Sequence, residues 1–203
     1  AAGILVPIYL QSLMGYSATV SGLVLLPGAI IMGAMGPIAG RLFDKHGPRV
    51  LALVGMGVLT LTTFCFAFLS TETGIITLTL LYTVRLFSLS LVNMPITTWG
   101  MNALDNKVMN HGTSVNNTLR QVAGSLGTAI IIAVSTQVQN FATPEFGAAQ
   151  GTMFGINAAF LVCTLLCLIG LVMTIVLVKD KPGEEEAVDE GGTRKSLLMS
   201  IMK

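Results

Sequence analysis

Five long stretches of this chain carry at most one charge each, at residues 17–40, 48–69, 74–98, 113–136 and 152–178. A helix needs about 20 mainly apolar residues to cross the hydrocarbon of a bilayer. In that layer the backbone N–H and C=O groups must find partners within the protein, and a long apolar run does so as a helix. A shorter apolar run, residues 1–14, comes first and has no initiating methionine, no basic leader and no cleavage-type end. It reads as the end of a truncated spanning helix rather than a signal peptide, so the chain is expected to be the carboxyl part of something longer. The fold expected is all-α and polytopic, a six-helix bundle over residues 1–178 with its first helix cut, followed by a charged segment, 179–203. Charged residues make up 10% of the chain and hydrophobic ones 53%, whereas soluble domains carry about 25% charged residues.

Lysine and arginine fall in alternate connections. Arg41, Lys45 and Arg49 come first, then Lys107, then Lys179, Lys181, Arg194, Lys195 and Lys203, while the connections near Gly15, near Glu72 and over 137–151 carry none. Basic residues are retained on the cytoplasmic side. Residues 40–50, 100–112 and 179–203 are therefore expected in the cytoplasm of a multi-pass plasma-membrane protein. The last segment, glycine-rich and dense in charge, is expected to lack a packed core.

The stretch "GRLFDKHGPRV", residues 40–50, packs its polar residues between two spans. Pro48 suits a first helical turn, Gly47 a tight entry, and Asp44 lies near the positive end of the following helix dipole. Gly40, Asp44, Lys45, Gly47 and Arg49, with Arg41 among them, match the loop pattern G-x-x-x-D-[RK]-x-G-x-[RK]. In this the chain resembles the major facilitator superfamily, although Pro48 stands where that family often has another base. "PIYLQSLMGYSATVSGLVLLPGAI", "VRLFSLSLVNMP" and "GTSVNNTLRQVAGSLGTAI" are similar to the carboxyl-terminal half of its 14-helix drug:proton antiporters, the EmrB/QacA-like group. Ser88 and Ser90 replace the glycines usual there, which keeps small size but not backbone freedom. The resemblance implies two six-helix bundles of inverted repeats with a substrate cavity between them. It further implies that Gly40, Arg41, Asp44, Lys45, Gly47 and Arg49 form a gating loop. The partners implied are the missing amino-terminal bundle of the same protein, the lipid bilayer, a lipophilic small-molecule substrate and protons.

Two arginines lie inside spans. An arginine at the bilayer centre costs about 2.5–3.5 kcal/mol on insertion scales, so each should face protein or water. Tyr82, Arg85, Leu89 and Asn93 share about an 80° arc of their helix. Arg85 is either an anchor to neighbouring helices or a cavity or proton-relay residue; Arg120 either snorkels or reaches the cavity. On the helix over 113–136, Asn116, Asn117, Arg120, Gln121, Gly124, Gly127 and Thr128 share one face and Val115, Leu119, Val122, Leu126 and Ile130 the other. Asn117 and Gln121 are candidates for the cavity, and Gly36, Gly124 and Gly127 for close helix packing. Asn157 reads as an interhelical hydrogen bond. Pro27 and Pro95 each free a carbonyl inside a span, which suits bending.

No catalytic set stands out: there is no P-loop, no metal-ligand spacing and no nucleophile beside a histidine. No cofactor, no metal and no nucleic-acid partner is expected. His46 and His111 read as solvated residues, and Cys163 and Cys167, on one helix face, as packing. Every acid falls in a connection or in 179–203. The leading expectation is the carboxyl half of a proton-coupled exporter of lipophilic compounds. The alternatives are a symporter or facilitator for a small polar solute, and a membrane protein that binds partners without transport.

Overall fold

A computed structural model describes residues 2–70, 73–102 and 109–177, without the side chains of Asp44, Pro48, Met94, Pro95, Trp99, Met101, Asn102, Met109 and Asn110. The expectations for Lys107 and for residues 179–203 fall outside the described residues. The chain is all-helical: α1 (Ala2–Ile8) runs into a π-helical segment (Tyr9–Leu13), followed by α2 (Ala18–Phe66), α3 (Ile75–Asn102), α4 (Met109–Phe146) and α5 (Ala148–Leu177). Among the described residues, Ala18–Phe43, Arg49–Phe66, Ile75–Thr98, His111–Phe146 and Ala148–Val176 are long and apolar enough to cross a membrane.

α2 is two helices that meet at one residue. Only Gly47 is non-helical within it, at φ 75° and ψ 166°, a region open almost solely to glycine. The helix passes Pro27 and Pro37 with helical dihedrals, and its two limbs meet at Gly47, inside the connection expected over 40–50. The connection expected over 137–151 is also mostly helix. α4 continues to Phe146, Gly147 turns the chain at φ 84°, and α5 begins at Ala148. Gln137, Gln139 and Asn140 end the apolar run, but polarity alone does not end a helix. Gln139 Nε2 instead donates to Thr152 Oγ1 at 2.9 Å, pairing α4 with α5.

The main core lies where α1 and the π-helical segment meet the ends of the other helices. Leu5, Val6, Tyr9 and Leu10 are fully buried there with Phe66, Leu78, Ile156 and Phe160. Tyr9 donates its hydroxyl to the Ser70 carbonyl at 2.7 Å. Phe66 stacks on Phe160 with centroids 4.9 Å apart, and Asn157 Nδ2 donates at 3.1 Å to the carbonyl of Leu69, so the bond expected to join two helices runs from α5 to the connection just after α2. Together with a close approach of Gly170 to Met56, these contacts set the second limb of α2 against α5 in one antiparallel register.

Hydroxyls within the spans are satisfied by their own helix. Thr60, Thr62, Thr63, Thr164 and Thr174 each donate to the carbonyl one turn back, so threonine costs little at membrane depth. Helices approach most closely at glycines other than those expected. A Cβ on Gly28 would meet Leu86 at 2.9 Å, one on Gly55 would meet Val92 at 2.7 Å, and one on Gly155 would lie 2.4 Å from the Ser135 carbonyl oxygen. Gly36, Gly124 and Gly127 face open space within the described residues. The close packing expected at these three glycines is therefore not seen among the described residues.

Gly155→Ala should therefore force α4 and α5 apart and lower stability by about 1–3 kcal/mol, the usual cost of overpacking. Gly22→Ala, which meets nothing within 4 Å, should be neutral or slightly stabilising. Thermal unfolding of the two variants in detergent checks the contrast.

Candidate functional site

Three polar places interrupt the apolar spans. The first is the corner at Gly47. Gly40 is half-buried beside the fully buried Ala39, while Arg41, Lys45 and His46 are exposed and Arg49 is half-buried. Of the six residues expected to form a loop, five thus lie on helical turns either side of the sixth, Gly47. The Asp44 side chain lies outside the description. Leu42, His46, Val50, Leu51 and Val54 from both limbs, with Leu91 of α3, line a groove of about 190 Å³.

The second place is Arg85, near the middle of α3. Its Nη1 donates to Thr63 Oγ1 on the second limb of α2, and Thr63 donates in turn to the Leu59 carbonyl at 2.6 Å. Tyr82, Cys163 and Cys167 lie within electrostatic reach of the guanidinium, and no carboxylate is among them. Arg85 thus points between α3, the second limb of α2 and α5, and its geometry is that of a clamp across helices. Tyr82 is buried on the neighbouring side of α3, against Gly28 and close to Gly3. Ser88 is fully buried, and its carbonyl oxygen would lie 3.2 Å from a Cβ on Gly55, which explains why small size matters at that position.

The third place joins α3 to α4. Arg120 Nη2 donates to Asn93 Oδ1, and both residues, with Thr97, Asn116, Val92 and Ile96, line a cleft of about 160 Å³. Asn93 shares an arc with Arg85, yet its partner is Arg120. Asn117 and Gln121 are exposed on α4 outside this cleft. From Val115 to Ile130 the apolar face of α4 is also open, with Leu119 64% and Leu126 61% exposed. The cleft can offer guanidinium and amide donors to a carbonyl or an anion. Among the described residues no group of three or more histidines, cysteines or acids could hold a metal ion.

Thr63 and Thr97 join the site beyond the residues expected, and Asn116, on the polar face of α4, reaches the cleft. Thr63 was open to discovery, because "TLTT" at residues 60–63 is polar within a span that also needs a partner for Arg85. Pairing Asn93 with Arg120 required the crossing of α3 and α4, which spacing along one helix does not contain.

Comparison with known proteins agrees with the motif at the corner. Residues 1–128 match the Major Facilitator Superfamily. The chain is 41% identical over 90% of its length to the uncharacterised MFS-type transporter YcnB of Bacillus subtilis, covering 39% of that protein. It is 37% identical over 85% of its length to the uncharacterised MFS-type transporter YhcA of the same organism, covering 41% of it. It is also 37% identical over 88% of its length to the lincomycin resistance protein LmrB of Listeria monocytogenes, covering 39% of it. The chain thus spans about two fifths of the length of the curated relatives it matches. No solved structure matches it.

If Arg85 and Thr63 act as one clamp, Arg85→Lys and Thr63→Val should each destabilise the protein, and the double variant should lose less than the sum. The coupling expected is about 1.5–3 kcal/mol, the range for hydrogen bonds to charged groups. Additive losses in a double-mutant cycle of unfolding would mean that the two side chains act independently.

Proposed function

The chain belongs to the major facilitator superfamily, and on that premise we propose that it is the carboxyl-terminal bundle of a proton-coupled exporter of lipophilic toxic compounds. The observation that carries this reading is the 37% identity to the lincomycin resistance protein over 88% of the chain. Spans that are mainly apolar, with a few amides and one guanidinium at an α3–α4 cleft, suit a substrate that is largely hydrophobic with one or two hydrogen-bonding groups. In this proposal the chain lies in the plasma membrane with the Gly47 corner on the cytoplasmic side. The substrate passes between this bundle and a second one outside residues 1–203, and access alternates by rocking of one bundle against the other.

The distribution of charge assigns the coupling step. A proton-driven pump needs a group that binds and releases a proton while it is exposed alternately to the two sides. Asp44 sits at the corner and Glu145 near the far end of α4, and every other acid lies in a connection or after α5. Arginine does not serve as such a group, because its guanidinium stays charged in proteins. The titrating carboxylate of the exporter therefore belongs to the other bundle, and this bundle contributes the corner, the clamp and part of the substrate path.

In the complete protein, export of lincomycin or a lipophilic dye from everted vesicles should follow the proton gradient and stop when an ionophore collapses it. Export that ignores the gradient would sink the coupling, and no export would sink the exporter reading. Asp44→Asn should insert normally yet lower the rate several-fold, whereas a wild-type rate would remove the corner from gating. Liposomes holding residues 1–203 alone should show no gradient-driven transport.

A further inference from the structure

The antiparallel register between α5 and the second limb of α2 determines where the chain leaves the bundle. Phe160 lies opposite Phe66, Asn157 opposite Leu69, and Gly170 opposite Met56. Each step forward along α5 matches one step back along α2. Leu177, the last described residue, is seven positions beyond Gly170, and Arg49 is seven positions before Met56. At about 1.5 Å rise per residue both lie roughly 10 Å further along the same pair of helices. Leu177 therefore sits level with Arg49, about one helix-packing distance away, whichever side of the membrane that end occupies.

The next residues, "VKDKPGEEEAVDE" (178–190), hold Glu184, Glu185, Glu186, Asp189 and Glu190, which are five of the ten acids in the whole chain. Leu177 and Glu184 are seven residue steps apart, which span at most about 25 Å fully extended. The corner presents Arg41 and Lys45, both exposed, and the half-buried Arg49. Asp44 is the one acid of that stretch, so residues 40–50 keep a formal excess of two positive charges with histidine neutral.

We propose that the acidic run Glu184–Glu190 docks on the basic Gly47 corner, so that this surface is an electrostatic contact with the segment following α5. The register supplies the address and the opposite charges supply the attraction. The tether raises the effective concentration of one for the other to the millimolar range, without any need for a deep pocket. The contact joins the start of the second limb of α2 to the end of α5 across the face where both emerge. It is independent of the substrate and of proton coupling, and as a contact between surface charges it is weakened by salt.

Zero-length carbodiimide coupling in the purified complete protein tests it, because the reagent joins a lysine only to a carboxylate in direct contact. In phosphatidylcholine vesicles at low ionic strength, peptide mapping should find Lys45 joined to one of the acids of 184–190. The yield should fall at least about five-fold when ionic strength rises from about 0.02 M to about 0.5 M, and by a similar factor in Arg41→Glu. A yield that ignores both changes would show tethered collision without attraction and overturn the proposal, as would the absence of any such product. In vesicles containing phosphatidylglycerol the product should persist. Its loss there would identify lipid headgroups as the occupant of the corner and would equally overturn the proposal.

Discussion

The absence of water at membrane depth is the constraint on which this structure depends. A backbone or hydroxyl group that finds no partner there costs several kcal/mol. The chain answers with helices whose threonines and serines fold back on their own carbonyls. Contacts between helices then cannot be driven by apolar burial, because lipid tails are as apolar as leucine. They rest on close approach at Gly28, Gly55 and Gly155 and on a few polar bonds, of which Tyr9 to Ser70, Asn157 to Leu69 and Arg85 to Thr63 link separate elements. Thr83 and Asn157 each keep a buried oxygen without a partner among the described residues. The Asn157 amide tolerates this because its nitrogen holds the end of the second limb of α2.

The residues that announce the fold do so through length and charge. A run such as 152–178 has no alternative to a spanning helix, and Gly47 is conspicuous because it stands alone between two spans beside Pro48. What stayed hidden depends on which helix lies next to which. Gly36, Gly124 and Gly127 look like packing glycines by type, yet a glycine packs only if a neighbour comes to it, and the neighbours came to Gly28, Gly55 and Gly155. The π-helical turn at Tyr9–Leu13 has no sequence signature. The extra turns of α4 were masked because Gln137 and Gln139 look like a water-exposed connection, while Gln139 serves the α4–α5 pairing. Of the candidate site, the identity of the charged residues was legible and their partners were not.

Cover is unevenly distributed over the bundle. Beyond Ile131, α4 is held against α5 through Ser135, Gln139 and Thr143. Before it, both faces are open, and α3 touches α4 around Arg120 and Asn93. An exposed apolar face needs no explanation in a bilayer. A face of Asn117, Gln121, Gly124 and Gly127 does, since lipid offers amides no hydrogen bonds. In the two-bundle arrangement proposed above, that face meets the second bundle or the water-filled path, and its small residues permit close approach.

Gly47 is better understood as a fixed corner than as a flexible joint. Its dihedrals lie in a narrow region, and both limbs of α2 are pressed onto the same helix. The first limb meets α3 at Gly28 against Tyr82, Thr83 and Leu86, and the second at Gly55 against Ser88, Leu91 and Val92. Opening or closing the corner would have to disturb these close approaches, which involve side-chain atoms of Tyr82, Leu86, Leu91 and Val92 and backbone atoms of Thr83 and Ser88. The Arg85 clamp adds a further tie between α3 and the second limb. The two limbs of α2 and α3 are therefore tied to each other at several places, and in the exporter reading proposed above the motion that alternates access is expected outside this trio, at the lightly held first half of α4 or at the boundary with the second bundle. Conserving the angle at Gly47 then serves to aim two helices correctly across the membrane, and the charges around it are presented in a fixed geometry to whatever docks there.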